Sequence, residues 1–349
     1  MIFDKAMLKQ IYCLISFSCI VLLSACEKDP AMPIGKGNGF DLVTSNISNV
    51  DHVSATSGIL LSNLSNSITL QGSGICWGLN PYPTIDNQSY ERVNFTTSAI
   101  NIQGLIPAQK YYVRAYVKIN GSYIYGNQQE FTTNPNNTLS ANLVTYFPMN
   151  EDLRDFSGSG NNLNGSAMKT TDRWGARNSA FSFDGSTQYL FLISPKSLPR
   201  NNESYSLSFW FKANLWNREM AFCGYGPSGP NTGGMNYIKT LTNTGLMHAH
   251  WNLDGLITPY SYQGNWNHLV VTYDGISEIY YINGQNVGSW RRGANSLIIN
   301  PTILSVGARV VDLAKSDIRE YFNGSIDEIR IYSRTLNQSE VNTLYFSTK

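Results

Sequence analysis

The chain has 349 residues, with 25 Lys and Arg against 24 Asp and Glu, a formal net charge of +1 and only 14% charged residues. So even a balance offers no basic face to nucleic acid, which is excluded as a partner. Aromatic residues reach 12%, including 21 Tyr and 7 Trp, and helix-period runs are almost absent, the make-up of an exported β-protein.

At the start of the chain, Lys5 and Lys9 precede an apolar run from Ile11 to Leu23 that ends in Leu23-Ser24-Ala25-Cys26. The run is too short to cross a bilayer as a permanent helix but suits the apolar region of a secretory signal. Residues 1–25 are therefore read as a signal peptide. The small-residue step before the cysteine resembles the bacterial lipobox, which implies cleavage before Cys26 and lipidation (palmitate) on it. Residues 26–41, with Glu27-Lys28-Asp29-Pro30 and Gly35-Lys36-Gly37-Asn38-Gly39, read as a flexible stalk. The charged cluster after Cys26 resembles the surface-export signal of Bacteroidetes lipoproteins. The expected address is the bacterial outer membrane, lipid-anchored, with cell-surface exposure and the periplasmic side both open. Of the cysteines beyond Cys26, Cys76 and Cys223 fall in different modules and are expected as small buried apolar residues.

Residues 42–133 carry short strand signals: Leu42 to Ile47, Ser54 to Leu61, Ser67 to Trp77, Val93 to Ile102, Tyr111 to Val117 and Tyr123 to Thr132. Five to seven such strands fill a sandwich. Gly74-Ile75-Cys76-Trp77, Gly104-Leu105-x-Pro107, Tyr111-Tyr112-Val113-Arg114-Ala115-Tyr116 and Tyr125-Gly126-Asn127 resemble a fibronectin type III-like module. Tyr111 then suits a tyrosine corner and Trp77 the core, and the module is expected to act as a spacer.

Asn134-Pro135-Asn136-Asn137 opens a linker, 134–142. Residues 143–346 alternate short strands with Asp184-Gly185, Asp254-Gly255, Asp274-Gly275 and Asn283-Gly284 turns, and Asn337 to Glu340 form a capping box for one terminal helix. This length of strands suits a two-sheet jelly roll. Tyr146-Phe147-Pro148-Met149-Asn150, Ala180-Phe181-Ser182-Phe183-Asp184-Gly185, Tyr205 to Phe211, Trp266-x-His268-Leu269-Val270-Val271, Tyr281-Ile282-Asn283-Gly284 and Phe322 to Tyr332 resemble the LamG-like jelly roll of the concanavalin A-like lectin/glucanase superfamily. The fold class expected is thus all-β, a fibronectin type III-like sandwich followed by a LamG/concanavalin A-like jelly roll.

Four chemistries compete for the second module. Asp155 to Gly165 is rich in Asp, Ser and Asn oxygens, and the resemblance implies a structural Ca²⁺ held by Asp155, Asn161, Asp184 and Asp327. A ligand face is expected from Trp251 and Asn252, with Tyr237, Trp290 and Arg291 on neighbouring segments, for a carbohydrate or a protein ligand at the cell surface. Trp210 and Trp266 match core positions of the resembled family and are set aside. His248-x-His250 puts two imidazoles on one strand face, with His268 as a further candidate, but no carboxylate partner is evident from spacing. The glucanase string Glu-x-Asp-x-x-Glu is absent, and adjacent Asp327 and Glu328 are expected on opposite faces, so no enzyme is expected. The chain therefore reads as a cell-envelope lipoprotein with a lectin-like jelly roll, against a structural or adhesive surface protein and, third, an unrecognised glycoside hydrolase.

Overall fold

The computed structural model describes residues 39–92, 97–135, 137–226, 233–242, 244–314 and 316–347. Cys26, the signal segment and nearly all of the stalk lie outside the described residues. In the first module the strands are β1 (Asp41–Thr44), β2 (Ala55–Ser62), β3 (Gly72–Gly78), β4 (Gln88–Arg92), β5 (Thr97–Ile102), β6 (Lys110–Ile119) and β7 (Ser122–Thr132). A three-stranded sheet, β1-β2-β5, packs on a four-stranded one, β4-β3-β6-β7. Strand β4, whose Gln-Ser-Tyr-Glu-Arg lacks β-branched residues, has no counterpart among the sequence expectations; pairing with β3 makes it a strand. Trp77, Tyr111, Val113 and Ile59 fill the space between the sheets, so Trp77 is a core residue as expected. The Tyr111 hydroxyl accepts the Ile106 N–H at 3.0 Å, the bond that defines a tyrosine corner.

A single helical turn, α1 (Asn137–Ser140), leads into the second module. Its strands are β8 (Leu143–Phe147), β9 (Asn164–Ser166), β10 (Met168–Thr170), β11 (Ala180–Asp184), β12 (Tyr189–Ile193), β13 (Tyr205–Ala213), β14 (Ala221–Tyr225), β15 (Asn236–Leu241) and β16 (Thr244–Ala249). They continue as β17 (Gly255–Thr258), β18 (Asn267–Tyr273), β19 (Ser277–Ile282), β20 (Gln285–Arg291), β21 (Ile303–Val306), β22 (Arg309–Asp312), β23 (Asp317–Arg319) and β24 (Asn323–Tyr332), and the chain ends on α2 (Gln338–Ser347).

One sheet runs β10-β11-β24-β13-β18-β19-β20 with β8 also paired to β24; the other runs β17-β16-β15-β14-β21-β12-β9. Period-two alternation sends Leu207, Phe209 and Phe211 of β13 inward to meet Phe222, Val271, Leu304 and Ile329. The β19–β20 hairpin closes through Asn283 and Gly284 at φ 51° and 80°, left-handed values that a type I′ turn requires and that this residue pair adopts at low cost. Helix α2 starts with the expected reciprocal cap: Glu340 N–H donates to Asn337 Oδ1 at 3.0 Å and Asn337 N–H to Glu340 Oε2 at 2.9 Å. Its Val341 and Leu344 cover Val270 and Tyr281 on the outer face of the larger sheet. The all-β class expected from the sequence, a two-sheet sandwich followed by a jelly roll, is the one observed.

The linker is not slack. Leu139 of α1 is buried in the same outer cluster as Leu344. Cys76 and Cys223 are buried and unbridged, and burial pushes both thiols up to about 12, as befits small apolar core residues.

Candidate functional site

Because Leu207, Phe209 and Phe211 face the core, Trp210 and Lys212 must face outward from the larger sheet. Three separate segments converge over them: the 171–176 loop with Arg173 and Trp174, the approach to β18 with Trp266, and α2 with Tyr345. With Asn283 they line an open groove of about 340 Å³. Across Arg173 and Trp266 it continues into a polar depression of about 510 Å³ walled by Asp172, Ser182, Lys212 and Asn214.

The groove is rigidly built. The Arg173 guanidinium carbon lies 3.6 Å from the Trp174 ring centroid and 4.5 Å from that of Trp210. The same guanidinium donates to Asp327. Trp210 stacks on Tyr345 at 5.6 Å and 18° and rests against His268 at 5.0 Å. Trp210 is itself buried, a floor, whereas Trp174, Trp266 and Tyr345 are half-buried walls. The loop that carries Arg173 and Trp174 is held by Asp172 Oδ1, which accepts the N–H groups of Trp174 and Ala176, each at 2.9 Å. Burial raises the Asp172 carboxyl to about 6 against the pull of Arg173, and burial also holds Asp327 well above the usual carboxylate range. His268, buried below Trp210, bonds Ser208 at 2.9 Å and is pushed down by burial.

The ligand residues expected from the sequence are dispersed. Tyr237 is wholly buried, with its hydroxyl on Ser305 at 2.9 Å, so it offers no platform. It shares an outer patch of the smaller sheet with Met247, Ala249 and Trp251, and beside it Lys239 is held by Glu219 at 2.7 Å. Asn252 is exposed in the turn after Trp251. Trp290 and Arg291 are exposed on β20, an edge strand of the other sheet. Trp266, set aside as core, instead lines the groove. A strand pattern shows which residues share a face but not which face is left open.

The four residues named for calcium do not form one site. Asp155 and Asn161 do meet, since Asn161 N–H donates to Asp155 Oδ2 at 2.9 Å. The Asp155 carboxylate also accepts from Tyr146 N–H, Ser157 N–H and the Ser157 hydroxyl, each at 2.9 Å. Asp184 caps its own turn through Ser186, Thr187 and Gln188, and Asp327 is paired with Arg173. A cation at Asp155 would have to replace these internal donors.

Asp327 and Glu328 correct a further expectation. Across β24, Asp327 faces Trp210 and Arg330 faces Ser208, so three steps on one strand match two on the other. The bulge falls on Glu328 at φ 56°. Both carboxylates therefore turn to the outer side, Glu328 to Arg330 at 2.5 Å and Asp327 to Arg173, rather than to opposite faces.

Among the described residues one group of His, Cys, Asp or Glu side chains is close enough to share a metal ion: His248, His250 and Glu278. The histidines, His248 on β16 and His250 just past its end, point inward, not to solvent, and the carboxylate that spacing could not supply comes from β19 of the opposite sheet. His250 Nε2 lies 2.6 Å and His248 Nδ1 3.2 Å from Glu278 Oε1. The second oxygen, Oε2, accepts from Arg292 at 2.6 Å and from the Tyr280 hydroxyl. Burial pushes His248 down to about 4, with Glu278 opposing. His268 is not part of this group.

Residues 184–342, a little under half of the chain, match the laminin G family model of the concanavalin A-like lectin/glucanases superfamily. Comparison with curated proteins gives no match. Among solved structures, the botulinum neurotoxin serotype C1 binding domain is 18% identical with a TM-score of 0.49, over 60% of this chain and 53% of that one. The binding domain of Paraclostridial Mosquitocidal Protein 1 is 18% identical with a TM-score of 0.47, over 59% of this chain and 52% of that one. Domain 4 of AbnA, a GH43 extracellular arabinanase from Geobacillus stearothermophilus, solved with arabinotriose, is 22% identical with a TM-score of 0.45, over 58% of this chain and 98% of that one. The chain spans about half the length of the two toxin domains, and likeness at these identities concerns the fold alone.

Proposed function

We propose that this lectin-like jelly roll belongs to a cell-envelope lipoprotein, lipid-anchored at Cys26, and that it binds carbohydrate without cleaving it. The observation that carries the binding reading is the groove between Trp174 and Trp266. Half-exposed aromatic rings held on a buried aromatic floor lose apolar contact to water unless something covers them. A pyranose does so with its C–H face, while the adjoining Lys212 and Asn214 meet its hydroxyls. The non-catalytic reading is supported by Asp327 and Glu328, each committed to an arginine.

The test is a glycan array probed with the detergent-solubilised full chain, followed by calorimetry on whichever glycan is retained. Trp266→Ala is expected to weaken binding about tenfold or more, a stacking contact being worth on the order of 1 kcal/mol beyond buried area, whereas Trp290→Ala on the far edge leaves affinity unchanged. Absence of glycan binding favours the adhesive reading, in which the same face meets a protein. Release of shorter sugars from a bound polysaccharide sinks the non-catalytic part.

A further inference from the structure

The interior of the jelly roll holds a polar cluster that the sugar groove does not use. His248, His250 and Glu278 are each fully buried, and they reach one another across the space between the two sheets. Each imidazole is fixed from behind. His250 Nδ1 lies 2.7 Å from the Met235 carbonyl oxygen, which can only accept, so this nitrogen carries the proton. His248 Nε2 lies 2.6 Å from Asn236 Oδ1 and donates to it. With both imidazoles neutral, the remaining nitrogens, His250 Nε2 and His248 Nδ1, present lone pairs to the same carboxylate oxygen, and His248 Nδ1 has no hydrogen-bond partner among the described residues.

Three electron pairs converging on one point repel unless a proton or a metal cation lies between them. Arg292 does not fill that role, because its guanidinium bonds the opposite oxygen, Oε2, at 2.8 Å and 2.6 Å. We propose that His248 Nδ1, His250 Nε2 and Glu278 Oε1 bind one divalent transition-metal ion of the zinc class, tying the smaller sheet to the larger. Two imidazoles and a carboxylate are the ligand set such ions favour over calcium or magnesium. Ring nitrogens whose other N–H groups rest on a carbonyl and a carboxamide are the usual outer support of metal-bound histidines. Ligand atoms on a tetrahedral ion stand roughly 3.3 Å apart. His248 Nδ1 and Glu278 Oε1, at 3.2 Å, already do. His250 Nε2, at 2.6 Å, has to draw back by under about 1 Å. Tyr205, whose hydroxyl is 3.2 Å from Glu278 Oε1, stands beside the remaining position.

The full chain, purified in detergent and stripped with a chelator, is titrated with Zn²⁺ by calorimetry and with Co²⁺ by visible spectroscopy. One ion per chain, the d–d bands of a four-coordinate nitrogen–oxygen site and a higher melting temperature on loading are the expected results. Glu278 also anchors Arg292, so its replacement confounds folding with binding. His248→Asn and His250→Gln are the variants of choice, each expected to weaken Zn²⁺ binding by about 100-fold or more. X-ray absorption at the metal edge of the loaded wild type reads the ligands without any mutation. No stoichiometric uptake, an absorption spectrum without imidazole scattering, or uptake unchanged in both histidine variants overturns the proposal and leaves a proton shared between His250 and Glu278.

Discussion

The carboxylate of Glu151, at the start of the jelly roll, accepts the backbone N–H of Gln88, in the first sandwich, at 2.9 Å. It also takes the Asn87 amide at 3.0 Å, while Gln88 Nε2 bonds Ser179 at 2.9 Å and Arg177 N–H donates to the Ser89 carbonyl at 2.9 Å. Strand β4, absent from the sequence expectations, is thus the docking edge of the first module. Glu151→Ala leaves a largely buried N–H unpaired and is expected to cost about 1–3 kcal/mol. In scanning calorimetry the wild type should unfold as one cooperative unit and the variant as two separated transitions. Two separated transitions in the wild type would show that the modules are merely strung together.

Within the first module, Tyr111→Phe removes the acceptor of the Ile106 N–H and nothing else, since the ring stays packed against Phe131. A loss of about 1–3 kcal/mol in denaturant unfolding is expected, with the slope unchanged. A variant as stable as wild type would mean that water replaces the phenol.

Docking also reaches the groove. Gly104 in the first module sits at φ 69°, and a Cβ there would stand 2.7 Å from the Trp174 ring. Gly104→Ala therefore strains the backbone and pushes Trp174 out of line with Trp266. Glycan affinity should fall severalfold in calorimetry while the circular dichroism spectrum stays that of wild type. Unchanged affinity would detach Trp174 from the ligand.

The Asp172 carboxyl has a clear pH signature. Burial raises it from 3.8 to about 6 in the folded chain, so between those values the folded state holds a proton that the unfolded state has lost. Stability is then highest below the unfolded value and falls as pH rises through the folded one, by roughly 3 kcal/mol if the shift is taken whole. Asp172→Asn keeps the Oδ1 acceptor for Trp174 and Ala176 but cannot ionise. Its melting temperature should match wild type near pH 4 and exceed it above pH 7. Equal melting curves at both pH values would place the raised carboxyl elsewhere.

Much of this molecule was legible residue by residue. Local chemistry alone decides the Asn283–Gly284 turn, the Asn337–Glu340 cap and the corner at Tyr111, because each depends on neighbours a few positions away, and strict alternation sorts the two faces of a strand. The same alternation correctly separates His248 and His250 from Met247 and Trp251. It cannot say what stands opposite. That the histidines are buried rather than exposed, and that Glu278, 28 residues beyond His250, reaches them from the other sheet, follows only from how the two sheets are stacked. The groove is of the same kind: Trp174, Trp266 and Tyr345 come from three remote segments, so no spacing along the chain announces it. The bulge at Glu328 breaks the alternation itself, and with it the expectation of carboxylates on opposite faces. Sequence determines which way a side chain turns from its own strand; tertiary structure decides whether it meets solvent, a ring or a charge, because packing joins residues whose separation along the chain carries no pattern.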